Sequence, residues 1–262
     1  MTAGRLLDLT GRRALVTGAA TGIGEGIAHV LAEAGAAVAV ADIDADGAER
    51  VAAAVGGSAI VLDVTDGDAC ANELGDRAVD ILVNNAGSYH FAGSILDQSR
   101  ESWQQSIDVN LASMFNCCKP VAAGMAAAGN GGAIVNIASV DGLLPCLGTG
   151  YDTAKAGVIH FTKSLALDLS PHDIRVNAIS PGHIDVPTLQ KMKSGEIDHF
   201  WPKEPSVSGL MGPMMRQRSN NIPLGRSGTP AEIGQVVLFL ASGASSYITG
   251  QNIAVDGGWT LV

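Results

Sequence analysis

Short apolar runs alternate with longer amphipathic stretches along the whole chain. The runs at 13–17, 37–42, 58–62, 79–84, 133–139, 174–179 and 251–255 are rich in Val, Ile, Leu and Ala, without clean polar alternation. That pattern predicts parallel strands covered on both faces. Between them, Ile23, Ile27, Val30 and Leu31 fall on one face of a helix that Gly35 stops. Val158, Phe161, Thr162, Leu165 and Leu169 make a second stripe. Thr229-Pro230-Ala231-Glu232 predicts a capping box with proline at the first helical position, opening a helix with Ile233, Val236, Val237 and Leu240 inward. Regular strand–helix alternation predicts an α/β fold, a doubly wound parallel sheet, as one domain over residues 1–262. Residues 183–228 break the rhythm and are expected to form an insertion of loops and short helices over a substrate.

Composition narrows the partners. With 16 Lys+Arg against 26 Asp+Glu the 262-residue chain carries −10, a surface that repels nucleic acid. No apolar run approaches the roughly 18 residues of a membrane span. The start MTAGRLLDLTGRR lacks the apolar core of a signal peptide, so a cytoplasmic location is expected. Charged residues, at 16%, fall below the usual ~25%, which favours an oligomer with buried faces, and the Ala-rich stretch 121–128 suits close helix packing. Cys70, Cys117, Cys118 and Cys146 lack metal-ligand spacing. They read as small apolar fillers in a reducing compartment, and no metal site is expected.

The first strand runs into Thr17-Gly18-Ala19-Ala20-Thr21-Gly22-Ile23-Gly24 and then the first helix. Glycines there let the backbone turn sharply and approach a diphosphate, while the helix N-terminus offers N–H groups and partial positive charge. The second strand ends at Asp42, where a carboxylate can accept both ribose hydroxyls of an adenosine and repel a 2′-phosphate. No Lys or Arg lies in the glycine loop. Together these features favour NAD over NADP.

Further along, Ser139 ends a buried strand, so its hydroxyl is expected at the carboxyl edge of the sheet. Tyr151 and Lys155 lie four apart on one helix and share a face. An ammonium one turn away, together with an oxidised nicotinamide, favours phenolate. Tyr151 is then expected to take the hydroxyl proton of an alcohol, or return it to an alkoxide, with Ser139 holding the oxygen.

The glycine spacing TGxxxGxG resembles the short-chain dehydrogenase/reductase family. Other landmarks agree in order over almost the whole chain: Asp63-Val64, Asn84-Asn85-Ala86-Gly87, Asn110, Ser139, Tyr151 and Lys155, Ser180-Pro181-Gly182 and Asp256-Gly257-Gly258. The resemblance implies a Rossmann fold with catalytic Asn110, Ser139, Tyr151 and Lys155. It also implies a cofactor held by Gly18, Thr21, Gly22, Ile23, Gly24, Asp42, Ile43, Asp63, Val64, Asn85, Ala86, Gly87, Tyr151, Lys155, Pro181, Gly182 and Ile184. In the family the lysine also holds the nicotinamide ribose, and the asparagine anchors a water path from it to solvent. The expected partners are a small secondary alcohol or ketone and further copies of the chain, as a homotetramer.

Two departures stand out. Between Tyr151 and Lys155, where the family often reads Ala-Ser-Lys, stand Asp152, Thr153 and Ala154 with the spacing preserved, and Asp152 is expected to face solvent. Val186 stands where a cofactor-contacting threonine is usual, with Thr188 the nearby hydroxyl. Apolar bulk in the insertion (Leu189, Met192, Ile197, Phe200, Trp201, Leu210, Met211, Met214, Met215), opposite Leu143, Leu144, Pro145 and Leu147, points to a bulky, weakly polar or cyclic substrate; an oligomer interface explains that bulk equally well. His90, His183 and His199 are given no catalytic role. Two alternatives are a dehydratase or epimerase with bound NAD, and a non-catalytic NAD-binding sensor.

Overall fold

The computed structural model describes residues 6–89, 94–186 and 221–262. The apolar runs form strands β1 Arg13–Thr17, β2 Ala37–Asp42, β3 Ser58–Val61, β4 Ile81–Asn84, β5 Gly132–Ile137, β6 Ile174–Pro181 and β7 Asn252–Val255. Every pairing is parallel, in the order β3-β2-β1-β4-β5-β6-β7. Each expected strand is present, with no edge moved by more than two residues. Neighbouring β1 and β4 are not consecutive, so the winding reverses between them, which opens a crevice at the carboxyl edge.

The helices are α1 Gly22–Glu33, α2 Ala45–Val55, α3 Gly67–Leu74, α4 Arg100–Ile107, α5 Ser113–Ala128, α6 Thr149–Leu169 and α7 Pro230–Ala241. Strand periodicity sends Val16 to one face of the sheet and its neighbour Leu15 to the other. The Val16 side packs with Ile27, Leu31, Val51, Ile233 and Val237. The Leu15 side packs with Leu74, Cys117, Val121, Met125 and Ile134. Covered on both faces, β4 and β5 are buried at every position, whereas edge strand β3 buries only Ile60.

Two elements show how local sequence sets position. In α7 the Thr229 hydroxyl accepts from the Glu232 amide, and the Glu232 carboxylate accepts from the Thr229 amide at 2.8 Å. The expected capping box is formed. A Cβ on Gly234 would lie 2.8 Å from Val30 Cγ2, so glycine is what lets α7 cross α1 closely. Between α4 and α5 the backbone makes a π turn, Asp108–Ala112, which carries Asn110. The sequence places Asn110 in a helix; the wider turn is a refinement that periodicity does not carry.

Val121, Ala122 and Met125 of the Ala-rich stretch are buried within the chain itself. All four cysteines are buried free thiols, with the sulfurs of Cys70 and Cys117 at 3.9 Å. Among the described residues no helix is long and apolar enough to cross a membrane. Of the 183–228 segment, Ile184 bridges to Gly228. Thr188, His199 and the segment's Leu, Met, Phe and Trp cluster lie outside the described residues, as does His90.

Candidate active site

The crevice has two ends. At the first, Gly18 and Gly22 take φ of +62° and +67°, the left-handed region that favours glycine. A Cβ on Gly18 would meet the Ala86 Cα at 2.7 Å, and one on Gly24 the Gly18 oxygen at 2.2 Å. The loop after β1 is stitched to the loop after β4 by Thr17, whose hydroxyl accepts from the amides of Asn85 and Ala86 at 3.0 and 3.1 Å. The Asn85 side chain donates back to the carbonyls of Thr17 and Gly18, each at 2.9 Å. This leaves a backbone cradle at the N-terminus of α1, shaped so closely that side chains are excluded. Such a cradle fits the diphosphate of a dinucleotide.

Asp42, at the end of β2, accepts from the Ala20 amide at 2.9 Å and the Asp44 amide at 3.0 Å. Burial raises its pKa, against the pull of these N–H groups. The fold also brings a cation that the sequence reading did not place here. Arg50 of α2 donates to the Ala20 carbonyl and to Glu25, both at 2.7 Å. Ile43 beside Asp42 is exposed. Asp63 accepts from the Thr65 amide and hydroxyl, while the Val64 carbonyl is held by Asn116 of α5. Beyond β6, the Gly182 amide donates to Val255, and the Asp185 amide to Gly228. Val186 lies across the cradle, its Cγ1 3.2 Å from a Cβ built on Gly22. His183 contacts Ser227 through Nδ1 at 2.8 Å.

At the second end, Ser139 follows β5 and caps a short turn, Val140–Gly142. Helix α6 places Tyr151 and Lys155 one turn apart. Lys155 is buried and donates to the Ile137 carbonyl at 2.9 Å; its Nζ lies 5.7 Å from the centre of the Tyr151 ring. Asn110, wholly buried, accepts from the Ser88 amide and donates to the carbonyls of Ser88 and Ser106. A Cβ on Gly87 would sit 2.9 Å from Asn110 Oδ1 and 3.3 Å from Lys155 Nζ. Residues from the β4 loop, the π turn and α6 therefore converge on one point.

The electrostatics differ from the expectation in one respect. Burial pushes the Lys155 ammonium down to about 8, with Asp141 pulling the other way. The Tyr151 phenol is held above its ordinary range, first by burial and then by the Asp141 charge, with the Ser139 hydroxyl opposing. After burial itself, a carboxylate that the sequence did not single out adds to the shift. Asp141 is buried and accepts a hydrogen bond from the Ser139 hydroxyl at 2.6 Å, while its amide donates to the Ser139 oxygen at 3.1 Å. Burial raises the Asp141 pKa as well.

Asp152 corrects a second expectation. It does not simply face solvent but accepts from the amides of Cys146, Leu147 and Gly148 at 2.8, 3.2 and 3.2 Å, holding the loop that enters α6. The signal for that role is an aspartate at the fourth position of α6, in the first turn and able to reach back to the loop amides.

A family model described as enoyl-(acyl carrier protein) reductase matches residues 18–260. The chain is 38% identical to 3-oxoacyl-[acyl-carrier-protein] reductase of Thermotoga maritima, over 97% of this chain and 100% of that one. It is 37% identical to cis-4-hydroxycyclohexanecarboxylate dehydrogenase of Sinomonas cyclohexanicum, over 96% and 97%. A solved short-chain type dehydrogenase/reductase from Mycobacterium marinum superposes with a TM-score of 0.83 at 38% identity, covering 100% of each chain.

Proposed function

The chain belongs to the short-chain dehydrogenase/reductase family, and on that premise we propose that it is an NAD-dependent dehydrogenase interconverting a secondary alcohol and a ketone. The carrying observation is the convergence of Gly87, Asn110 and Lys155, with the Lys155 Nζ 5.7 Å from the centre of the Tyr151 ring. Residues expected independently from the sequence meet at one end of a crevice whose other end is a glycine cradle.

In this reading Gly18, Thr21, Gly22, Ile23 and Gly24 hold the diphosphate, and Asp42 and Ile43 the adenosine ribose. Asp63 and Val64 flank the base. Asn85, Ala86, Gly87, Pro181, Gly182 and Ile184 line the nicotinamide half, with Tyr151 and Lys155 on its ribose. Bound there, the cofactor accepts or returns a hydride. Tyr151 removes the substrate hydroxyl proton or restores it. Ser139 holds the reacting oxygen. Lys155, anchored on the Ile137 carbonyl, places a cation behind the phenol, and Asn110 holds the π turn against Ser88 and anchors the water path.

Asp42 supports NAD over its 2′-phosphorylated form by charge. Arg50 does not reverse this, because Glu25 and the Ala20 carbonyl occupy its guanidinium. A bulky apolar or cyclic substrate fits the composition of 183–228, which we assign to substrate cover; the Sinomonas relative is named for a ring alcohol. Exposed Phe115 on α5 and Leu167 on α6 support a homo-oligomer, a tetramer in our reading, acting in the cytoplasm.

The test is Tyr151→Phe, assayed by NADH absorbance with a panel of secondary alcohols. It should bind NADH like the parent and lose turnover about a thousandfold or more. Turnover at the parental rate would remove Tyr151 from the chemistry. Product formed without net change in nicotinamide would point to a dehydratase or epimerase instead.

A further inference from the structure

Asp141 has no part in the chemistry described so far, yet it is buried and bonded to a residue that has one. We infer that Asp141 works as a neutral carboxylic acid, donating its own proton to Ser139 Oγ and so leaving the Ser139 hydroxyl free to donate to the reacting oxygen. It is a positioning residue that acts through Ser139, and the inference rests on the reading of Ser139 as the group that holds that oxygen.

The hydrogen-bond accounting at Ser139 comes first. A serine hydroxyl has one proton and two lone pairs. One lone pair accepts from the Asp141 amide at 3.1 Å. The contact between Ser139 Oγ and Asp141 Oδ2, at 2.6 Å, holds one proton, and the owner of that proton decides what Ser139 can do. With Asp141 ionised, the proton is the serine's, and Ser139 has only a lone pair left to offer. A ketone oxygen or a developing alkoxide needs a donor and gains nothing from it. With Asp141 neutral, the proton is the acid's, the second lone pair accepts it, and the serine proton is free.

The surroundings of Asp141 decide between the two. Its other oxygen, Oδ1, is buried without a hydrogen-bond partner among the described residues. None of the ion pairs among the described residues includes Asp141. Lys155, the nearby cation of α6, gives its Nζ to the Ile137 carbonyl instead. Asp141 lines a small cavity with Val140, Leu144, Cys146, Trp259 and Thr260. It leaves about 10 Å³ for the centre of a water molecule, enough for one neutral water and too little for a hydrated counter-ion. One water there can donate to Oδ1 and accept from the indole Nε1 of Trp259, which is also buried without a partner among the described residues. A carboxylate buried with neither a counter-ion nor a full set of donors is less stable than its acid.

The titratable groups facing Asp141 are Tyr151, Asp152 and Lys155 of α6 and the Cys146 thiol of the entry loop. Burial raises the Asp141 pKa and outweighs the hydrogen bonds and the Lys155 charge, which favour the carboxylate. Ionisation is thereby deferred to higher pH, and with it the charge that would oppose a phenolate at Tyr151.

The first test needs neither cofactor nor substrate. In deuterium oxide near neutral pH, the infrared spectrum of the parent minus that of Asp141→Asn should contain the carbonyl stretch of one protonated carboxylic acid. A difference holding only carboxylate bands overturns the inference. Should Asp141→Asn not fold, Ser139→Ala assigns the band, because the acid's stretch moves when its acceptor is removed; no acid band moving would overturn the inference equally.

The second test reads the coupling to Ser139 through the pH dependence of cyclohexanone reduction by NADH, or that of another cyclic ketone. In Asp141→Asn an amide N–H stands in for the acid's O–H, so variant and parent should have similar kcat at pH 6. By pH 10 the parent should fall behind about tenfold or more, as Asp141 ionises and Ser139 loses its free proton. Reduction is the informative direction. Without the Asp141 charge the phenol and the Lys155 ammonium lose their protons earlier, which slows the variant and not the parent. A variant-to-parent ratio that stays constant with pH overturns the coupling. A chain inert to every ketone would sink the proposed function and the role of Ser139 with it, whereas an absent acid band with turnover intact sinks only the role given to Asp141.

Discussion

The two ends of the crevice are built in different ways. The cradle end is made almost wholly of backbone: Gly18, Gly22 and Gly24 are defined by the side chains they lack, and Thr17 and Asn85 stitch main chain to main chain. The catalytic end is a network of side chains, in which Asp141, Ser139, Tyr151, Lys155 and Asn110 share a few carbonyls and two strong charges. The first tolerates no added atom, whereas the second tolerates substitutions of like shape but responds to every change in proton or charge. Stability is thus the sensitive readout at one end, and pH dependence at the other.

The sharpest way to break that contrast is Gly24→Ala. A methyl there would meet the Gly18 oxygen at 2.2 Å and Asn85 Nδ2 at 2.5 Å, and the oxygen belongs to backbone that must shift. We expect a loss of roughly 3–5 kcal/mol in urea unfolding, with NADH affinity lost. Parental stability would mean that the cradle is looser than its geometry.

At the catalytic end the corresponding experiment is a pH series on Lys155→Met. A lysine held at about 8 in the folded state and near 10.4 when unfolded binds fewer protons folded than unfolded between those values. Its contribution to stability therefore rises with pH through that window and is lost as pH falls through the folded value. Relative to the variant, the parent should gain roughly 2–3 kcal/mol between pH 7 and pH 10.5. A constant difference would place the ammonium in solvent.

A third measurement separates charge from shape within the cradle. Asp42→Ala should cut the preference for NAD over NADP about tenfold, or about 1.4 kcal/mol, by comparison of kcat/KM for each cofactor. Unchanged discrimination would shift the assignment away from Asp42. The smallest effect is a control. Gly124 lies inside α5, where an added Cβ meets nothing closer than the Gly75 oxygen at 4.0 Å. Gly124→Ala should stabilise by about 0.5–1 kcal/mol, which would show that the penalty at Gly24 comes from the cradle and not from glycine replacement as such.

The same contrast governs what could be read from the chain beforehand. The seven strands of the parallel sheet were legible because strands buried on both faces leave continuous apolar runs, whereas their order was not spelled out by those runs. The α7 capping box was legible because its residues are neighbours in sequence. The glycine cradle was legible because only glycine meets its backbone demands. Asp141 was not: a single aspartate after a strand-end serine has no periodicity, and its significance lies in its bond to Ser139 and in a small cavity it lines with Trp259, which is remote in the chain. Arg50 reaches the Ala20 carbonyl across 30 residues, and Asp152 looked like any polar residue on a helix. Side-chain networks are written in three dimensions, and a linear pattern shows only their more familiar members.

The strand order also bears on how the chain comes into being. Thr17 cannot bind the Asn85 amide until a stretch 68 residues long has followed it, so the cradle closes only after β4 has inserted beside β1. On a ribosome extending the chain by about 5–20 residues each second, the glycine loop therefore waits several seconds for its other wall. Until then β1 presents an open edge to whatever strand arrives, and β2, synthesised soonest after it, is the neighbour that can shield one side of it from the wrong company.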